Sequence, residues 1–191
     1  MRLFATVLPP EEVLAALDAE VAAVRGLPGA DRLRWTERAG WHLTLAFYGE
    51  VAGDSVPDLT ARLERAAHRT APFRLALRGG GQFGRGRALW TGVSGDLAAL
   101  RLLAGRAESA GRRAGVAEPE GHRRHRPHLT VARARSATSV GPCLAALDGF
   151  EGPDWTVTDL ALVRSDLPRS GVPGERPRYR TVARPPFGGA G

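Results

Sequence analysis

Two of the five histidines in this 191-residue chain open the same short phrase, His42-Leu43-Thr44-Leu45-Ala46 and His128-Leu129-Thr130-Val131-Ala132. With 5 His, 23 Leu and 11 Thr, chance supplies roughly 0.03 copies of His-Leu-Thr, so a pair needs a cause. An extended segment alternates its faces. That sets His42 with Thr44, and His128 with Thr130, opposite the aliphatic Leu43, Leu45, Leu129 and Val131. Two imidazoles near neutral pH divide acid and base work, and two hydroxyls hydrogen-bond the non-bridging oxygens of a phosphate. In-line displacement at phosphorus needs a base behind the attacking oxygen and an acid behind the leaving one. A two-fold pair of His-x-Thr sets supplies both without a metal. One such histidine would pass as a structural residue. A pair in register does not, because packing alone asks for no polar residue at both positions.

The elements around the motifs repeat with them. The shift from His42 to His128, 128 − 42 = 86, also carries Leu3 to Leu89, Phe4 to Trp90, Val7 to Val93, Leu14 to Leu100 and Leu17 to Leu103. A unit of strand, helix, His-x-Thr strand, helix and strand therefore occurs twice, which is a duplication rather than a many-copy solenoid. The first copy reads as a strand at the N-terminus, then a helix opened by Pro10-Glu11-Glu12 with Val13, Leu17, Val21 and Val24 inward. Short extended segments at 32–35 and 41–49 follow, then a helix from Ser55 with a Ser-x-x-Asp start and Leu59, Leu63 and Ala66 on one face. Strands at 73–78 and 88–93 flank the Gly-rich residues 79–87, expected to span the two lobes rather than to form a phosphate-binding loop, since no Gly-Lys-Ser/Thr ending is present. The second copy gives a helix with Leu97, Leu100, Ala104 and Ala107 inward, a strand at 127–133, a short helix at 139–148 and one strand at 155–163. A last strand lies at 179–184.

The chain has 27 basic and 20 acidic residues, and every basic one is Arg. A coding bias towards Arg, Ala and Gly explains the count; an anionic partner would also suit it, since guanidinium forks match phosphate oxygens. No apolar run is long enough to span a membrane, the N-terminus lacks the apolar core of a secretory signal, and Cys143 is alone. The expectation is a cytoplasmic monomer with no membrane partner. His122, His125 and His128 fall three apart, but no Cys or acid is suitably spaced and Arg123, Arg124 and Arg126 crowd them, so no metal and no cofactor are expected.

At the two motifs the chain resembles the 2H phosphoesterases, and more closely their RNA 2′,3′-cyclic phosphodiesterase (2′-5′ RNA ligase, LigT-like) branch. The likeness extends over RLFATVLPPEEV, WHLTLAFYGEV, FRLALRGGGQFGRGRALWTGV, RPHLTVAR and RYRTVARPPF. Tyr48 departs from the commoner Leu, and residues 164–178 are long and rich in Arg and Pro. The resemblance implies an α+β fold of two pseudo-symmetric lobes, each an antiparallel sheet with flanking helices, facing across a central cleft. The domain expected is 1–187, with repeat units of about 2–78 and 88–163, a strand at 178–184 completing a lobe, and a tail at 188–191. It also implies metal-independent hydrolysis of a terminal 2′,3′-cyclic phosphate of RNA to a 2′-phosphate, with reversible 2′-5′ joining. His42 and His128 are then the acid and base, His128 taken as base by analogy, and Thr44 and Thr130 hold the phosphate. Arg133 matches a phosphate-contacting position, yet ideal alternation turns it away from His128 unless a bulge intervenes. Arg126, two residues before His128, is a second candidate clamp. Phe47, the counterpart of Arg133, either stacks on a base or packs in the core, the latter preferred. Two other readings stand beside this one: a non-catalytic RNA-binding module, and a sibling activity on cyclic mononucleotides or 2′-5′ oligonucleotides.

Overall fold

The chain enters helix α1 (Glu11–Val24) from Pro10, with Glu11 and Glu12 against the positive end and Val13, Leu17, Val21 and Val24 buried. The structure, a computed structural model, describes residues 1–116, 126–168 and 176–189. Strands are β1 (Arg2–Val7), β2 (Arg34–Trp35), β3 (Leu43–Glu50), β4 (Phe73–Phe83), β5 (Ala88–Gly95), β6 (His128–Arg133), β7 (Glu151–Val157), β8 (Ala161–Asp166) and β9 (Arg178–Ala183). The remaining helices are α2 (Val56–His68), α3 (Leu97–Arg113) and α4 (Gly141–Asp148). They form a four-stranded sheet, β3-β1-β8-β9, and a five-stranded sheet, β2-β6-β5-β4-β7. Every pairing is antiparallel.

The helices change partners. α1 leaves β1 of the smaller sheet but packs against β7 of the larger, while α3 leaves β5 of the larger and packs against β3 of the smaller. Tyr48 fixes that second contact by donating its hydroxyl to the carbonyl of Ala107 at 2.9 Å. One continuous core results, with Leu3, Leu43 and Leu45 of one sheet and Leu89, Leu129 and Val131 of the other in a single buried cluster.

Each His-x-Thr strand carries a bulge at the same place. Opposite β1, Thr6 pairs Thr44 and Ala5 pairs Ala46, so Leu45 is the extra residue. Opposite β5, Trp90 pairs Thr130 and Leu89 pairs Ala132, so Val131 is extra, and 45 + 86 = 131. A bulge offsets the alternation by one, which matters for every residue beyond it.

Three expectations are corrected. Residues 79–87 do not span the lobes: β4 runs on to Phe83 and returns as β5 in one hairpin of the larger sheet. Glycine is needed there because a Cβ at Gly81 would lie 2.0 Å from the ring of Trp90, and one at Gly80 would lie 2.6 Å from Leu147. Residues 155–163 are not one strand. After Val157 the chain leaves the larger sheet, bridges Asp159 to Pro186, and enters the smaller sheet as β8. Ser55 makes no side-chain cap to α2, and Asp58 instead pairs with Arg62 one turn on at 2.8 Å. His122 and His125 lie outside the described residues, as do 169–175 of the long loop and the end of the expected tail.

Candidate active site

His42 follows a 3-10 turn at Arg38–Gly40 and immediately precedes β3. Its neighbours Trp41 and Leu43 are buried at 3% and 2% exposure, which turns the imidazole to the other face, half-buried. There it lies 4.7 Å, centroid to centroid, from Phe4 and 5.5 Å from Tyr179. His128 opens β6 and is held similarly, 5.0 Å from Phe83 and 5.8 Å from Trp90. Phe4 and Trp90 are themselves equivalent at the 86-residue shift. Each ring also meets the backbone carbonyl two residues before it: Gly40 for His42, and Arg126 for His128, whose Nδ1 is 2.7 Å from that oxygen. A carbonyl only accepts, so the nitrogen facing it carries a proton, and exchange with a substrate falls to the other nitrogen.

The two motifs share one electrostatic environment. His42 has its pKa pushed down from 6.5 to about 4, chiefly by burial and then by the Arg133 guanidinium; the charge of His128 adds to this, against the Gly40 carbonyl. His42 belongs to the smaller sheet, and both cations that depress it belong to the larger. His128 and Arg133 of the larger sheet thus lie within electrostatic reach of His42. Thr44 is exposed and Thr130 half-buried between buried aliphatic neighbours, so both hydroxyls lie on the histidine face.

The bulges explain residues five beyond each histidine. Beyond Val131 the alternation resets, and Arg133 comes to the face of His128 and Thr130, where it acts on His42 and on the raised Tyr179 hydroxyl. Burial raises Tyr179, and Arg133 opposes the shift. Beyond Leu45 the same reset turns Phe47 outward. It is 39% exposed, with the Arg2 guanidinium 4.7 Å from its ring centroid, which overturns the core reading preferred from sequence. Arg126 is exposed just before β6, its guanidinium 5.8 Å from the centroid of Trp90. Beside the histidines opens a cavity of about 780 Å³ bordered by Arg34, Trp35, Arg133, Arg176 and Tyr179. Neither histidine lines it. It adjoins the pair through Arg133 and Tyr179.

Sequence reasoning missed Phe83 and Tyr179 as ring partners. They come from β4 and β9, unrelated by the repeat, so no spacing signalled them. Phe4 and Trp90 were legible as equivalent positions but not as histidine supports. Trp41 is core, and Trp35 donates its indole N–H to the Ala30 carbonyl at 3.1 Å while bordering the cavity. Among the described residues no group of three His, Cys, Asp or Glu is gathered as a metal site, and no helix is long and apolar enough to cross a membrane.

Comparison with known proteins shows the family and the fold. The chain is 37% identical over 184 residues to the RNA 2′,3′-cyclic phosphodiesterase of Thermus thermophilus, covering 90% of this chain and 85% of that protein. It is 32% identical to the protein of the same name from Aeropyrum pernix, over 78% of this chain and 84% of that one. A crystal structure of a Thermus thermophilus protein superposes with a TM-score of 0.77 at 31% identity, covering 99% of both chains. Escherichia coli LigT in complex with 3′-AMP gives 0.77 at 27% identity, over 97% of both. The family model of the 2′-5′ RNA ligase superfamily matches residues 9–169, and the chain belongs to that superfamily.

Proposed function

We propose that this protein hydrolyses the terminal 2′,3′-cyclic phosphate of RNA to a 2′-phosphomonoester. Water attacks phosphorus, the P–O3′ bond breaks, and the 2′-oxygen keeps the phosphate. One imidazole takes the water's proton and the other returns a proton to the departing 3′-oxygen. Thr44 and Thr130 donate to the non-bridging oxygens, and Arg133, with Arg126 at the edge, balances the phosphate charge. What supports this reading is that both His-x-Thr strands carry the same bulge and that His128 and the bulge-delivered Arg133 both act electrostatically on His42. The names of the relatives support the substrate class. Phe47 offers its exposed ring to a base.

The depressed His42 is neutral in the free protein across neutral pH, the form that accepts a proton. This favours His42 as the base and His128 as the acid, the reverse of the assignment made by analogy. With an RNA 5′-hydroxyl in place of water, the same steps join ends through a 2′-5′ bond. The protein works as a cytoplasmic monomer in this reading, without a metal.

The test is an oligoribonucleotide ending in a 2′,3′-cyclic phosphate, incubated with the protein in EDTA and followed by ³¹P NMR. A 2′-phosphomonoester is expected. A 3′-phosphate product, or an intact cyclic end, contradicts the proposal. A cyclic mononucleotide run in parallel distinguishes an enzyme of RNA ends from one of small cyclic nucleotides.

A further inference from the structure

The arginines gather in a second place, away from the cleft. α3 packs its Leu100, Leu103, Ala104 and Ala107 inward, against the face of β3 that holds Leu43, Leu45 and Tyr48. Thr44 and Phe47 lie on the other face of that strand. The outer side of α3 meets α2 in a groove of about 370 Å³, and six arginines line it: Arg62, Arg65, Arg69, Arg101, Arg106 and Arg113. Among the described residues no acidic side chain lines it. Arg62 pairs with Asp58, and Arg106 serves as a strut, its Nη1 donating to the Arg69 carbonyl at 2.6 Å and the Thr70 hydroxyl at 2.8 Å. For Arg65, Arg69, Arg101 and Arg113 no carboxylate lies within ion-pair distance among the described residues.

A coding bias accounts for many arginines, not for their collection around one groove with no acid among its described lining residues, where like charges repel. Spacing also opens the groove. Along α3, Arg101, Gly105, Ser109 and Arg113 recur every four residues on one ridge, so the two inner positions are small, and a Cβ added at Gly105 would meet nothing within 4 Å. Along α2, Arg62, Arg65 and Arg69 form the facing ridge. Among the described residues no aromatic lines the groove, so these offer charge without a stacking platform. This is the chemistry of backbone phosphates read without regard to base.

We propose that the α2–α3 groove is a second RNA site, which holds backbone phosphates of nucleotides well back from the cyclic end. The inference rests on RNA being the substrate. A sheet and a helix layer, about 20 Å together, separate groove from cleft, so only an RNA long enough to pass round the molecule engages both.

The test measures binding apart from chemistry. A single-stranded RNA of about 30 nucleotides with an ordinary 3′-hydroxyl is titrated by fluorescence anisotropy at several salt concentrations, against the wild type and the triple variant Arg65→Gln/Arg69→Gln/Arg101→Gln. Each lost contact removes about 0.7 from the slope of log K against log salt, so the triple variant should lose about 2 and bind at least tenfold more weakly at low salt. Turnover of a trinucleotide ending in a 2′,3′-cyclic phosphate, too short to reach the groove, should be unchanged, which also reports an intact fold. A matched variant, Arg74→Gln/Arg78→Gln/Arg112→Gln, removes arginines that already face carboxylates and should keep the wild-type slope. An unchanged slope in the groove variant, or an equal loss in the matched one, overturns the proposal. So does an equal loss of binding to polyglutamate or to anionic lipid vesicles, which would assign the groove to another partner. Failure of the phosphodiesterase reading would appear separately, as wild-type protein that turns over no cyclic phosphate.

Discussion

The two halves of the molecule use one backbone device and finish it with different chemistry. In both, a histidine at the head of a strand is braced by an aromatic from the paired strand, Phe4 or Trp90, and tethered to the carbonyl two residues back. In both, a bulge three residues on, at Leu45 or Val131, turns the residue two further along to the threonine's face of the strand. That residue is an aromatic in one half and a cation in the other. The repeat thus gives a symmetric frame, and in the proposed function the asymmetry of a nucleotide, with a base at one end and a phosphate at the other, falls at the one position the bulge exposes. His42 is held down chiefly by its burial and then by Arg133, which reaches it from the larger sheet.

The largest effects should come from the positions where the halves match. His42→Ala and His128→Ala should each lower kcat on a cyclic-phosphate RNA by about 10²–10⁴, measured by single-turnover kinetics. An unequal pair, with one variant fully active, would break the symmetry argument. Next comes Arg133→Gln. Losing a charge-assisted contact to phosphate should lower kcat/KM about 10–100-fold, from roughly 1.5–3 kcal/mol. Its counterpart Phe47→Ala should raise KM about tenfold with kcat little changed, since base stacking is worth about 1–3 kcal/mol. Phe47→Tyr should restore the wild-type value.

The smallest effect is one of protonation. The His42 imidazole should titrate near pH 4 by NMR, and Arg133→Gln should move it upward, towards 6.5. Because the folded pKa lies below the unfolded one, the unfolded chain binds more protons between about 4 and 6.5. Stability should therefore rise with pH through that window, and His42→Gln should flatten the rise. Titration of wild-type His42 near 6.5 would remove the field of the larger sheet from the account.

The frame of the candidate site was legible in the sequence because the repeated motif is written twice. The 86-residue shift paired His42 with His128 and Phe4 with Trp90, and the aliphatic alternation gave the face of each motif. Residues beyond the bulges were not legible in the same way. A bulge leaves no mark in Leu45 or Val131, which read as ordinary strand aliphatics, so the sequence leaves Phe47 between base stacking and core packing and makes Arg133 conditional on a bulge. Tyr179 and Phe83 reach the histidines from β9 and β4 through sheet topology, and topology across a 179 − 42 = 137-residue separation has no local signature. The Gly-rich stretch misled because glycine usually punctuates; here it is strand, thinned to admit Trp90. The segment 155–163 misled because its apolar run continues unbroken while the chain passes from one sheet to the other.

The central claim is that both imidazoles act on one phosphate in one step. The measurement that reaches it most directly is the rate of cyclic-phosphate hydrolysis by His42→Ala/His128→Ala beside the two single variants. Partners in one step fail together, so the double variant should be about as slow as either single one. Losses that multiply, with the double variant slower by the product of the two single factors, would mean that the histidines act independently and would contradict the account.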